Sequence, residues 1–244
     1  MNAAATRALA LLLLPLLAGC GEQELDALRL GQLEGAVTEA GGKATFPLSL
    51  SRKPLGPVVL HLVSTDATEA TVEPATLSFD VENWNRPQQV TVTGVDDAIA
   101  DGRVLFSIQM TGEAPADAGF HQVVWNLPMG CADDDVAGIS VTGPDSIAEG
   151  AQATLSIALT SEPTADVEVT LVIGDDSELI ASPTSLIFTP VNWAAPQQLR
   201  LTALQDEEDD GDQAVTLSLE VAVSADEVYA TLDPVQRDVV VLSD

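Results

Sequence analysis

Two tandem immunoglobulin-like antiparallel β-sandwiches, an all-β fold, are predicted by three features of the chain. The first is an internal repeat: one offset of 109 residues carries Asn83, Trp84, Pro87, Gln88, Gln89 and Thr93 onto Asn192, Trp193, Pro196, Gln197, Gln198 and Thr202. The same offset relates Pro54 to Pro163, Asp66 to Asp175, Pro74 to Pro183, Phe79 to Phe188, Asp101 to Asp210 and Gly102 to Gly211. One module therefore occurs twice. The second is alternation of apolar and polar residues at a period of two, and the third is the Pro, Gly and Asp residues that separate the runs. Roughly seven short runs per hundred residues is the density of an immunoglobulin-like sandwich. A chain of 244 residues has room for two such domains, each with its own core.

The chain opens with Met1 to Arg7, which carries one positive charge, then an apolar run from Ala8 to Leu17, then Ala18, Gly19 and Cys20. That order is an export signal over residues 1–19. The apolar run is shorter than the roughly 20 residues a spanning helix needs. Leu17-Ala18-Gly19-Cys20 resembles the bacterial lipobox, which implies acylation of Cys20 and anchoring to a membrane through lipid. Gly21 in place of Asp after the cysteine resembles the pattern that sorts enterobacterial lipoproteins to the outer membrane. Residues 20–27 are polar and short, and read as a lipidated tether. The modules then occupy residues 28–135 and 136–244. With Cys20 lipidated, no disulfide to Cys131 is expected.

Within the first module Phe46, Leu48 and Leu50 share one face of a strand, as do Val58, Leu60 and Leu62, with His61 pointing the other way. Leu77 and Phe79, Val90 and Val92, and Val104, Phe106, Ile108 and Met110 continue the pattern. The second module repeats it with Leu155, Ile157 and Leu159, then Val167, Val169, Leu171 and Ile173, then Leu186 and Phe188. Its longest alternation is Val215, Leu217, Leu219, Val221 and Val223. The Asn-Trp-Pro turns read as structural: proline fixes the backbone while the indole covers the end of a core.

Charge narrows the function classes. The chain has 9 Lys plus Arg against 38 Asp plus Glu, a net charge of -29, which repels nucleic acid and makes cations the natural small partners. Connections in an antiparallel sandwich alternate between its two ends. By that parity Glu39, Asp66, Asp96, Asp97, Asp101, Asp133, Asp134 and Asp135 all fall at one end of the first module, and the Trp84 turn at the other. Like charges gathered at one end cost stability unless a cation lies among them. Calcium takes six to eight hard oxygen ligands in flexible geometry, which such loops supply. The second module offers Glu149, Asp175, Asp206, Asp210 and Asp244 in the corresponding places. Asp206, Glu208, Asp210 and Gly211 mimic the start of an EF-hand loop, but Leu217 stands where its bidentate Glu belongs.

At these positions the chain resembles the Calx-beta domain. The matching residues are Glu39 with Gly41, Glu149 with Gly150, Thr65-Asp66, Val95-Asp96-Asp97 and the closing Asp133-Asp134-Asp135. The resemblance implies calcium bound by acids of these same loops. It departs at Ala67, where the family usually has Gly, at Gln205, which replaces the first Asp of its DD pair, and at Ser243, opposite Asp134.

No enzyme is expected. The sequence has two histidines, His61 and His121, and lacks a GxSxG elbow, an HExxH pair and a phosphate-binding Gly loop. The expected function is a binding or structural role at the cell envelope with calcium as ligand. The alternative is a calcium-independent lipoprotein whose sandwiches are spacers or contact a protein or polysaccharide partner.

Overall fold

The structure, a computed structural model, describes residues 23–25, 27–205 and 211–243. The export signal, Cys20, Asp206, Asp210 and Asp244 lie outside the described residues. The described chain is all-β, of immunoglobulin-like sandwich type, with antiparallel pairing nearly throughout. It divides into two compact units: the first runs to Asp97 and resumes over Gly102–Asp134, and the second comprises Ala98–Asp101 and Asp135–Asp244.

The first unit contains β1 (Gln23–Leu25), β2 (Leu28–Leu30), β3 (Glu34–Gly35), β4 (Lys43–Leu50), β5 (Val58–Ser64), β6 (Ala70–Glu73), β7 (Thr76–Phe79), β8 (Gln88–Gly94), β9 (Val104–Glu113) and β10 (Val124–Cys131). One sheet has the order β1-β2-β4-β8-β6, with β3 also on β4, and the other β10-β9-β5-β7. Alternation decides the facing: Phe46, Leu48 and Leu50 of β4, Leu60 of β5, Val90 and Val92 of β8, and Ile108 and Met110 of β9 are fully buried. Each such side chain contributes about 1.5–3 kcal/mol by leaving water. His61 is on the outer face, 3.2 Å from Glu113 Oε2.

The segment from Ala70 to Phe79 is one strand direction split between two sheets. Its first half, β6, pairs with β8, and its second half, β7, pairs with β5. The switch falls at Pro74, which has no N–H to give to a ladder, so the break costs the sheet no donor there. Because the direction is kept, the alternation of loops between the two ends survives the extra strand.

The second unit contains β11 (Ile139–Thr142), β12 (Ser146–Ala148), β13 (Gln152–Leu159), β14 (Val167–Ile173), β15 (Leu179–Ser182), β16 (Ser185–Phe188), β17 (Gln197–Ala203), β18 (Gln213–Ser224) and β19 (Val235–Leu242), with one 3-10 turn at Tyr229–Thr231. Its sheets run β11-β13-β17-β15 and β12-β19-β18-β14-β16. The break at Pro183 between β15 and β16 repeats the one at Pro74.

One expectation fails here. Val223 does not continue the buried face of β18; it is 65% exposed. A bulge opposite Glu168 and Val169 places Val221 against Val169 but Val223 against Glu168, so one extra residue flips the end of the strand outward.

The repeated Asn-Trp turns are explained by their bonds. Asn83 Oδ1 accepts from the Asp80 amide at 2.7 Å, and Gln88 Nε2 donates to Ser78 O at 2.8 Å. In the second unit Asn192 Oδ1 accepts from Thr189 N at 2.6 Å and Gln197 Nε2 donates to Ile187 O at 2.7 Å. Trp84 and Trp193 are half-buried against their cores.

Each unit also has a closed corner. In the first, Arg52 donates through both terminal nitrogens to Asp117, at 2.8 Å each, and its guanidinium lies 4.4 Å from the centroid of the Phe120 ring. In the second, the Tyr229 hydroxyl donates to Ser161 O at 2.8 Å, and Asp226 accepts from Thr164 N, Thr164 Oγ1, Val228 N and Tyr229 N.

Candidate metal centre

Three elements of the first unit bring two carboxylates and a thiol together. Glu39 sits in the turn ahead of β4, where its amide donates to Ala132 O at 3.0 Å and the parallel bridge Thr38 to Ala132 holds the backbone. Gly41 turns the chain back at φ 78°, a conformation a side chain would strain. Glu69 precedes β6, and its carbonyl accepts from Val95 N at 2.9 Å, which ties it to the loop after β8. Cys131 ends β10. The ligand atoms of Glu39, Glu69 and Cys131 all lie within 4.8 Å of one another.

All three are buried: Glu39 is 1% exposed, Glu69 5% and Cys131 0%. A carboxylate taken out of water is disfavoured, and a second carboxylate beside it adds repulsion, so the pair favours binding either a proton or a cation. Asp133 joins from the chain after β10. Its carboxylate lies within 4.8 Å of the Glu39 ligand atom, and its Oδ2 accepts from Gly102 N at 2.6 Å.

The other acids expected at this end, Asp135 apart, are used differently. Asp66 closes a local turn: its Oδ1 accepts from Thr68 N at 3.1 Å and Thr68 Oγ1 at 2.5 Å, and these bonds hold its carboxyl below the usual range. Asp175 makes the same turn with Ser177, at 3.0 and 2.5 Å, with the same direction of shift. These two aspartates serve as turn formers, which the Thr and Ser two residues later signal. Asp96, Asp97, Asp101 and Asp134 are exposed, and Asp135 is half-buried just past the boundary of the first unit.

Among the described residues, the second unit keeps the frame but does not bury the corresponding acids. Glu149 N donates to Leu242 O at 3.1 Å, as Glu39 N does to Ala132 O, so Val241 stands where Cys131 does. Val241 is buried, while Glu149 and Glu178 are only half-buried.

Glu69 and Cys131 are the members that sequence reasoning missed. Acid counting favours Asp66, next to a turn, over Glu69 at a strand entry; the available signal was that Glu69 and Glu178 share the repeat offset. His121 Nδ1 accepts from Ala114 N at 3.2 Å.

No family model matches the chain, and no curated protein matches it. Among solved structures it is similar to an α-2-macroglobulin from Salmonella, at 12% identity and a TM-score of 0.28 over 89% of this chain and 16% of that one. It is also similar to a marsupial T cell receptor, at 9% identity and a TM-score of 0.28 over 88% of this chain and 72% of that one. A third is the class 5 fimbrial chaperone CfaA, at 6% identity and a TM-score of 0.31 over 89% and 99%. The chain spans less than a quarter of the macroglobulins it matches. At these scores the likeness carries nothing about ligand or activity.

Proposed function

We propose that this protein is a lipid-anchored, exported β-sandwich protein of the outer membrane that binds calcium at the acidic end of its first unit and serves a binding or structural role at the cell envelope. The observation that carries the metal reading is the burial of Glu39 and Glu69 side by side. Two carboxylates at 1% and 5% exposure, with ligand atoms within 4.8 Å, are held in place by two separate strand connections. A divalent cation cancels their repulsion and draws the turn before β4 and the entry of β6 together. Asp133, within 4.8 Å of the Glu39 ligand atom, adds a further hard-oxygen donor, while the Cys131 thiol beside the pair is a soft group that calcium does not take as a ligand; the oxygen donors are in keeping with the resemblance of these loops to the Calx-beta domain. The lipid anchor rests on Leu17-Ala18-Gly19-Cys20.

Thermal unfolding of residues 21–244 in chelator, calcium and magnesium tests the metal. Calcium at a hundred times its Kd should add about 2.7 kcal/mol to folding, with a smaller effect of magnesium. Glu39→Gln with Glu69→Gln should remove the calcium response. A calcium response of equal size in the double variant would place the ion elsewhere. No response in either protein would remove the metal reading.

A further inference from the structure

We infer that the anchored protein carries its first unit side-on against the bilayer, with the β1 edge of the six-stranded sheet facing the phospholipid headgroups; this rests on the lipid-anchor reading of Cys20. The residues that a tether would need are taken up in structure. Gln23–Leu25 is β1, paired antiparallel with β2 in the register Gln23 to Leu30 and Leu25 to Leu28. Leu28 and Leu30 of β2 are buried and pair with Leu50 and Leu48 of β4, so β2 is fixed to the core.

From Cys20 to Gln23 there are three residues, which reach at most about 10 Å. That length brings the edge strand to the headgroups and leaves no room for the unit to stand clear of them. The opposite edge of the sheet, β6, lies four strand spacings away in the order β1-β2-β4-β8-β6, roughly 19 Å farther.

Two features of the first unit suit a lipid surface. Leu33, in the connection from β2 to β3, is 47% exposed and offers an apolar contact. The bases are also unevenly divided: Arg29, Lys43, Arg52, Lys53, Arg86 and Arg103 belong to the first unit, against Arg200 and Arg237 in the second. The unit that the anchor brings to the headgroups is therefore the one with more charge to offset its acids.

The test uses the full lipidated chain in phospholipid vesicles that contain headgroup-nitroxide lipid. Gln32→Cys, beside β2, and Thr71→Cys, on β6, are each labelled with a fluorophore; both positions are exposed, and the buried Cys131 does not compete for label. The Gln32 probe should be quenched and the Thr71 probe largely spared. Inserting about twenty Gly and Ser residues between Gly21 and Glu22, a coil of roughly 25 Å, should abolish the difference. Equal quenching at the two positions, or a difference that survives the insertion, overturns the proposal. Mass spectrometry of the N-terminal peptide separates the two failures. A Cys20 without acyl chains sinks the anchor and this inference with it, whereas acylated Cys20 with equal quenching sinks the side-on placement alone.

Discussion

The corner of the first unit and the corner of the second are built at equivalent positions by different chemistry. The repeat offset carries Arg52, Asp117 and Phe120 onto Ser161, Asp226 and Tyr229. In the first unit a bidentate ion pair joins the end of β4 to the loop after β9, and Asp117 also accepts from Leu55 N at 3.0 Å and Gly119 N at 3.1 Å. In the second, a buried phenol makes the same joint: the Tyr229 oxygen donates to Ser161 O at 2.8 Å and accepts from Ser161 N at 3.2 Å. The shared requirement is that a loop must be fastened across the end of a sandwich. The charge is optional, whereas the aspartate that gathers loop amides is present in both.

Removing that aspartate should have the largest effect, and of similar size in each unit. Asp117 is 3% exposed and Asp226 4%. Each collects several donors that alanine would leave unsatisfied, so Asp117→Ala and Asp226→Ala should each cost about 3 kcal/mol. Hydrogen exchange followed by mass spectrometry assigns the loss, to peptides around Leu55 in the first case and around Thr164 in the second. A loss below ~1 kcal/mol in either unit would mean that the corner there is ornamental.

Arg52→Ala comes next and breaks the symmetry. It leaves Asp117 buried without its cation, but Arg52 is itself 44% exposed on its side chain and partly screened, so the cost should be about 2 kcal/mol rather than the larger figure for a fully buried pair. The Arg52 hydrogen bonds hold the Asp117 carboxyl well below its ordinary value, against the effect of burial. A depressed carboxylate contributes stability that is fully present above the unfolded pKa near 3.9 and is lost as pH falls through the native value. The acid limb of the first unit should therefore shrink in Arg52→Ala. At Asp226 burial pushes the carboxyl up, the amides of Tyr229 and Thr164 outweigh it, and the net shift is again downward. The second unit should keep its acid limb in the Arg52 variant. Urea unfolding between pH 2 and 7, with exchange read on each unit, checks both statements; an unchanged limb in the first unit would remove Arg52 as its cause.

These corners also mark where the sequence stops being readable. Identity at a fixed offset found the turns, because Asn83 and Gln88 bind main chain and their copies Asn192 and Gln197 make the same bonds. The corners escaped because Arg52 and Phe120 change together to Ser161 and Tyr229, keeping the joint while erasing the identity. The strand faces were legible from Phe46 to Leu219, where burial on one side imposes a period of two, and failed at Val223, where a bulge adds a residue that no periodicity announces. Among the acids, composition could say that carboxylates gather at the loops. It could not separate Asp66, whose oxygens serve Thr68, from Glu69, which is buried, since that difference lies in backbone direction at the entry to β6.

The smallest effect should come from Tyr229→Phe. The ring stays, so the 1% exposed core position loses no packing; what goes is one hydroxyl that serves Ser161 N and O and lies 2.9 Å from Ser161 Oγ. Ser161 is fully buried and water cannot replace the bond, so the cost should be about 1 to 2 kcal/mol. No charge is involved, so the loss should be the same at pH 4 and pH 7 and at low and high salt, whereas the loss in Arg52→Ala should fall as salt rises. Measured together, the two variants separate a joint made by charge from one made by a neutral hydrogen bond. If Tyr229→Phe proved as sensitive to salt or pH as Arg52→Ala, the phenol would be acting through Asp226 and the two corners would share a single electrostatic mechanism after all.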